Sequence, residues 1–302
     1  MIANRLKNDV AKFGPVWIIP GEKSGRYPAC NALYVEADSK YLIDPGANRE
    51  RLDQLGRESG VDTVWLSHYH EDHIAHLDLF ESKDLWISEP DAPALEDMAL
   101  FLDAYGMDDP KIRRHWTDLM AQVFHYRPRR AKRLFKGAET LDLGGVTVEV
   151  IPTPGHTLGH VSFFFREPAL LFLGDYDLTA FGPWYGDRES DIDATIASVQ
   201  TLRKIEAKVW VVSHEPGVYT ENPGVLWDRY LQVIEDREAQ LLALLEKPRT
   251  REEIIEARII YRKKKEPAAF FDFSEWALMS KHIKRLARQG RVIENGNAYQ
   301  LA

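Results

Sequence analysis

The stretch Ser67-His68-Tyr69-His70-Glu71-Asp72-His73 gathers three imidazoles and the carboxylate of Asp72 within six consecutive residues, His68 to His73. Imidazole and carboxylate suit Zn, Fe or Mn, and four such groups on one tight loop can face two adjacent metal positions. Only 10 of the 302 residues are histidine, so a random distribution does not produce this cluster. Three later positions supply the ligand types still needed: His156 in Thr153-Pro154-Gly155-His156-Thr157, Asp175 in Leu173-Gly174-Asp175, and His214 in Val212-Ser213-His214-Glu215. Each would be weak alone, because a histidine or a Gly-Asp pair after a strand is commonly an ordinary loop. Taken in order they complete a set of seven.

Such loops hold their side chains still only if strands deliver them. Val16 to Ile19, Ala32 to Val35 and Tyr41 to Asp44 read as paired strands, the last stopped by Pro45-Gly46. Asn48 to Ser59 has helical character, and Val61 to Ser67 reads as a buried strand ending at the histidine-rich loop. After Leu85 to Ile87, the segment from about 90–136 loses β character and is expected to be a helical insertion acting as a lid, with helices at Ala94 to Tyr105 and Lys111 to His125. Strands are expected again at Val146 to Ile151, Val161 to Phe165, Leu170 to Leu173 and Val209 to Val212, with helices at Ile192 to Ile205 and Val225 to Leu245.

The charge divides unevenly. The chain has 39 Lys+Arg and 47 Asp+Glu, a net −8, yet from Lys247 onward it has 13 basic and 7 acidic residues, +6, leaving −14 before that point. Residues 1–246 are therefore read as a catalytic domain and 247–302 as a separate basic module. Thr250 and Glu253 form a capping box, Trp276, Met279, Ile283 and Leu286 mark a second helix that Gly290 stops, and Asn295-Gly296-Asn297 joins two terminal strands. Helices followed by a hairpin describe a winged-helix-like domain. No apolar run approaches the ~20 residues of a membrane helix, MIANRLKNDVAKF lacks the apolar stretch of an export signal, and Cys30 has no partner for an internal disulfide. The expectation is a cytoplasmic protein with no membrane contact.

With these motifs in view, the chain resembles the metallo-β-lactamase superfamily. His68, His70, Asp72 and His73 match its HxHxDH signature, and His156, Asp175 and His214 match the remaining motifs, over roughly Val16 to Pro216. The resemblance implies an α/β fold, a four-layer αββα sandwich. It also implies two divalent metal ions, Zn first, with Fe or Mn as alternatives: His68, His70 and His156 hold one, Asp72, His73 and His214 hold the other, and Asp175 bridges them. Asp72 and Asp175 would be the catalytic carboxylates, and Asp44 would hydrogen-bond a ligand histidine. An aspartate at 175, where true β-lactamases have cysteine, points toward the glyoxalase II and lactamase-beta-2-like side. The flavodiiron branch, with glutamate at the position of His70, is disfavoured.

The reaction this implies is hydrolysis of a small ester, a hydroxyacylglutathione-like thioester or a lactone by a hydroxide shared between two metals. The alternatives are a metal-dependent ribonuclease or phosphodiesterase, with nucleic acid contacted through the basic tail, and a persulfide dioxygenase using a single iron. Tyr176, Trp184 and Tyr185 either line the substrate pocket or fill the lid interface. His160 is expected to pack at a strand start rather than bind metal. Arg127, Arg129, Arg130, Lys132, Arg133 and Lys136, and likewise Arg262 to Lys265, either hold an anionic substrate or form solvated or ion-paired faces. A homodimer is a further expectation.

Overall fold

The computed structural model describes residues 10–302. The reading of the first residues as free of an export signal falls mostly on 1–9, outside the described residues. Two sheets dominate. The first runs in sequence order through β1 (Ala11–Phe13), β2 (Val16–Ile19), β3 (Ala32–Glu36), β4 (Lys40–Ile43), β5 (Thr63–Trp65), β6 (Asp84–Ser88) and β7 (Arg133–Phe135). Its first four strands pair antiparallel, and β4 to β7 pair parallel. The second runs through β8 (Glu139–Asp142), β9 (Thr147–Pro152), β10 (Val161–Phe165), β11 (Leu170–Phe172), β12 (Val209–Val211) and β13 (Val218–Tyr219), with β11 and β12 parallel and the other pairs antiparallel.

Period-two alternation sorts these strands into layers. Ile18, Leu33, Ile43 and Trp65 from the first sheet share one core with Phe163, Phe172 and Val211 from the second. Their neighbours Ile19, Tyr34, Leu42 and Val64 point the other way, into a cluster with α1 (Arg49–Glu58) and the inserted helices. On the far side, Leu171, Trp210 and Val212 pack with Val199 and Leu202 of α6 (Ile192–Leu202) and Trp227 and Tyr230 of α7 (Val225–Leu244). The result is helices, sheet, sheet, helices.

Between α1 and α6 lie the short α2 (Glu71–Ile74) and three inserted helices, α3 (Pro93–Glu96), α4 (Met98–Ala104) and α5 (Pro110–Gln122). The single helix expected at 94–105 is broken at Asp97, whose extended backbone and side chain, accepting from Ala99 N at 2.6 Å, end one helix and cap the next. The insertion also ends in β7, which joins the sheet although the segment was expected to lack β character.

Beyond α7 come β14 (Arg249–Thr250), α8 (Arg251–Glu256), α9 (Ala268–Arg288) and the hairpin of β15 (Val292–Asn295) and β16 (Ala298–Leu301), the strands ordered β14-β16-β15. The capping box at Thr250 and Glu253 is present, and Gly290 takes a left-handed φ of 68° just past α9. Ile234 and Leu241 of α7 share a cluster with Ile254, Leu278, Met279 and Ile283, so the apolar packing runs continuously across residue 247. The tail's cations face the acidic portion: Arg285 pairs with Asp193 and Glu238, Arg288 with Asp191 and Asp193, and the Lys281 ammonium donates to Arg188 O and Ser190 O at 2.8 Å. Among the described residues no helix is long and apolar enough to cross a membrane.

Trp65 is fully buried between the sheets, stacked on Trp86 at 5.4 Å and edge-on to Phe135 at 5.6 Å. Replacing it with alanine is expected to cost about 3–5 kcal/mol in urea unfolding followed by circular dichroism, from lost burial and the cavity left behind.

Candidate metal centre

Sheet direction brings the seven candidate ligands to one end of the molecule. The loop after β5 carries His68 to His73, and Asp44 follows β4, which runs parallel to β5. His156, Asp175 and His214 follow β9, β11 and β12. β9 and β11 both pair antiparallel with β10 and so share a direction, and β12 is parallel to β11. Hydrogen bonds tie the two sheets together at this end: Val161 N to Ser67 O at 2.9 Å, and Asn31 N to Ser213 O at 2.6 Å.

Ligand atoms of His68, His70, His156 and Asp175 converge in one group, and those of Asp72, His73 and His214 in a second. In the first, His156 Nε2 lies 3.2 Å from His68 Nε2 and 3.0 Å from His70 Nδ1. Asp175 reaches both groups. One oxygen lies 2.8 Å from His73 Nε2, and the other 3.4 Å from the Nε2 atoms of His156 and His214. Asp72 stands 3.3 Å from His214 Nε2.

The far nitrogen of each of the five imidazoles is held. Asp44 lies 2.9 Å from His73 Nδ1 and takes Ser67 N at 2.7 Å and Ser67 Oγ at 2.6 Å, and Ser67 Oγ in turn meets His68 Nδ1 at 2.9 Å. Asp44 adopts a left-handed φ of 52°, a conformation aspartate tolerates better than most residues. Its neighbour Gly46 is required for close approach, since a Cβ there would collide with Asp72 O and the Cys30 sulfur. Asp187 meets His70 Nε2 at 2.8 Å and is itself held by Tyr69 OH and by Trp184 Nε1 at 3.1 Å. His156 Nδ1 faces Trp184 O at 3.3 Å, and His214 Nδ1 faces Gly25 O at 2.7 Å.

Those contacts turn one nitrogen of each ring inward, which is the arrangement a metal needs. Buried His73 Nε2 and Asp175 Oδ1 face each other at 2.8 Å without hydrogen-bond geometry. Burial pulls His68 well below the usual imidazole range and His156 down to about 3, so both are bare lone-pair donors. Burial also lowers His70, but Asp187 overrides it and lifts the ring to about 9. Asp175 is held well below the usual carboxylate range because His73, His214 and His68 outweigh its burial. A set in which imidazoles crowd each other and a shared carboxylate fits divalent cations in place of protons.

Two buried residues position ligand loops. Asp91, lifted to about 7 by burial, takes Thr157 Oγ1 at 2.7 Å and Gly159 N at 2.8 Å, fixing the loop that carries His156. His160 lies outside both ligand groups: its Nε2 accepts from Asp175 N at 3.3 Å while Nδ1 meets Thr153 Oγ1 at 2.8 Å. Asp91 follows parallel strand β6 as Asp44 follows β4, a repeated position that could have marked it in the sequence. Asp187 stands in a loop with no strand before it, and only its Gly-Asp pairing echoes Asp175.

His70, Asp72, His156, Asp175 and His214 form the floor of a cavity of about 390 Å³ whose walls include Tyr105, Met107 and Trp116 from the insertion and Phe270, Phe271 and Phe273 from α9. Of the three aromatics read as lining the pocket or filling the lid interface, Trp184 lines this cavity and Tyr176 and Tyr185 do not. Each is fully buried and donates inward, Tyr176 OH to Thr153 O at 3.0 Å, while Tyr185 OH meets His282 Nε2 and Arg237 at 2.8 Å. The strip at 127–136 is outside the cavity lining too. Arg127 pairs with Glu81, Arg130 with Glu96, and Arg133 with Glu139 while lying over Trp86. A further convergence of His76, Asp78 and His125 is taken up by Arg49, which grips Asp78 at 2.7 and 2.9 Å and lies 3.3 Å from His76 Nδ1.

The chain belongs to the metallo-β-lactamase superfamily, whose sequence profile matches residues 26–214. A "Probable metallo-hydrolase" of Streptococcus pyogenes serotype M6 is 31% identical over 152 residues, 48% of this chain and 60% of the relative. Hydroxyacylglutathione hydrolase GloC of Haemophilus influenzae is 28% identical over 153 residues, 48% of this chain and 65% of the relative. The matched region thus spans under two thirds of the length of these curated relatives. In fold, a metallo-beta-lactamase family protein of Thermus thermophilus superposes with a TM-score of 0.70 at 24% identity, covering 95% of this chain and 99% of that one.

Asp187→Asn keeps the shape but loses the charge that orients His70. The expected outcome is a roughly 10–100-fold drop in metal affinity, read by chelator competition on the purified variant, with little change in far-ultraviolet circular dichroism.

Proposed function

We propose that this protein is a dinuclear metal-dependent hydrolase acting on an ester, thioester or lactone, with thioesters favoured. The observation that carries the reading is the convergence of seven ligand side chains, each imidazole with its far nitrogen engaged, five of them opening onto a largely apolar cavity. One cation would be held by His68, His70 and His156 and the other by Asp72, His73 and His214, with Asp175 between them. When bound, the cations supply Lewis acidity and an acidified water near neutral pH. The curated relative named as a hydroxyacylglutathione hydrolase supports a thioester substrate.

The remaining work falls to the chain. Asp72 is placed to orient the attacking water and take its proton, since its carboxylate lies at the cavity floor beside His214. Aromatic walls exclude bulk water and so strengthen every charge interaction at the floor. Asp44 and Asp187 keep the rings from rotating as charge develops. We also read residues 247–302 as a winged-helix-like module, a reading supported by the order β14-β16-β15 around α8 and α9. Its role in this proposal is to wall the cavity rather than to bind nucleic acid, because Lys281, Arg285 and Arg288 are engaged within the chain.

Metal analysis of the purified protein is expected to give two divalent ions per chain. Asp72→Ala should lower kcat/KM on the best of a panel of esters, thioesters and lactones by about 10²–10³ or more. A single iron with oxygen consumption, or RNA cleavage lost in Asp72→Ala with no turnover on the panel, would overturn the reading.

A further inference from the structure

The cavity walls form a continuous aromatic ladder that starts at a ligand. The His70 ring lies 4.9 Å from Tyr105, Tyr105 stacks 5.8 Å from Trp116, and Trp116 lies 5.7 Å from Phe270. Phe270 meets Phe271 edge-on at 5.0 Å, and the Lys265 ammonium stands 5.3 Å from the Phe271 ring. This ladder passes from the ligand loop through the insertion to the tail, and all of these side chains line the same cavity. A site for a small hydroxyacyl group has no use for such a surface: a polar acyl chain would leave its hydroxyls facing rings that cannot hydrogen-bond them. A large apolar group gains from burial against each ring and from ring-to-ring contact.

Resting on the hydrolase reading above, we propose that the preferred substrates are thioesters of bulky apolar acyl groups, aromatic or medium-chain, lying along this ladder. Lys265 meets an anionic group at the far end. Hydrolysis breaks the C–S bond and joins the acyl carbon to a water oxygen, releasing a carboxylate and a thiol, with no oxidant or reductant required. The anion at Lys265 has two possible sources, a carboxylate on the distal end of the acyl group or the phosphates of the thiol carrier. The ladder sets specificity because its rungs come from separate segments, so the chamber exists only when the tail is docked.

The test uses the full, metal-loaded chain on acetyl, octanoyl, phenylacetyl and 7-carboxyheptanoyl thioesters of N-acetylcysteamine, and on acetyl and phenylacetyl coenzyme A. The phenylacetyl and octanoyl compounds are expected to exceed acetyl in kcat/KM by about tenfold or more. Phe271→Ala should cut the phenylacetyl-to-acetyl ratio by about fivefold, and Phe273→Ala provides the same reading should the first variant fold poorly. Independently of catalysis, calorimetry on the metal-free chain should show octanoate and phenylacetate binding about tenfold more tightly than acetate. Lys265→Gln should selectively weaken either the 7-carboxyheptanoyl compound or the coenzyme A esters, identifying the source of the anion, and an effect on neither overturns the role of Lys265. A flat acyl series with no preference among the carboxylates overturns the chamber. Carboxylate preference without turnover of any thioester supports the chamber and overturns the hydrolase reading instead.

Discussion

His70 Nδ1 and His156 Nε2 stand 3.0 Å apart, with His68 and Asp175 beside them. Rings packed this closely keep one orientation only if the outer end of each is fixed. Most of the polar structure at this end of the molecule answers that requirement. Asp44 grips His73 directly and His68 through Ser67, Asp187 grips His70, and main-chain oxygens take His156 and His214. Each of these holders must in turn be buried and satisfied, which is why Tyr69, Trp184 and the backbone of Ser67 converge on the two aspartates.

The same requirement ties the tail to the centre. Ser190 Oγ donates to His156 O at 2.5 Å, and Ser190 O accepts from Lys281 on α9. The charge imbalance between the two portions of the sequence therefore has a structural counterpart: cations of the tail meet aspartates of the loop and helix that follow Asp187. Pairs half exposed to solvent, such as Arg288 with Asp193, add little energy, whereas the Lys281 contacts fix a buried loop.

The ligand set was legible in the sequence because its chemistry is local: His68, His70, Asp72 and His73 belong to one short run, and the other three ligands each follow a strand. Strand alternation and the capping box at Thr250 were legible for the same reason, each depending on neighbours a few residues away. What escaped depends on the third dimension. Asp187 reaches His70 across 117 positions, and nothing local marks it. Tyr176 and Tyr185 look like cavity aromatics because they follow the bridging aspartate, but their hydroxyls find partners inside, and burial takes precedence over proximity in sequence. The basic strip at 127–136 reads as one feature in sequence, whereas Arg127, Arg130 and Arg133 pair with carboxylates from separate segments.

The composite wall also has a meaning in time. A chain emerging from the ribosome completes its ligands at His214 well before Tyr261 and α9 are made. At that point the insertion has already supplied Tyr105, Met107 and Trp116, and only the wall that α9 contributes is missing. Docking of the tail then roofs the centre. Closure of the cavity is thus the last step in the order of synthesis, after every candidate ligand is already in the chain.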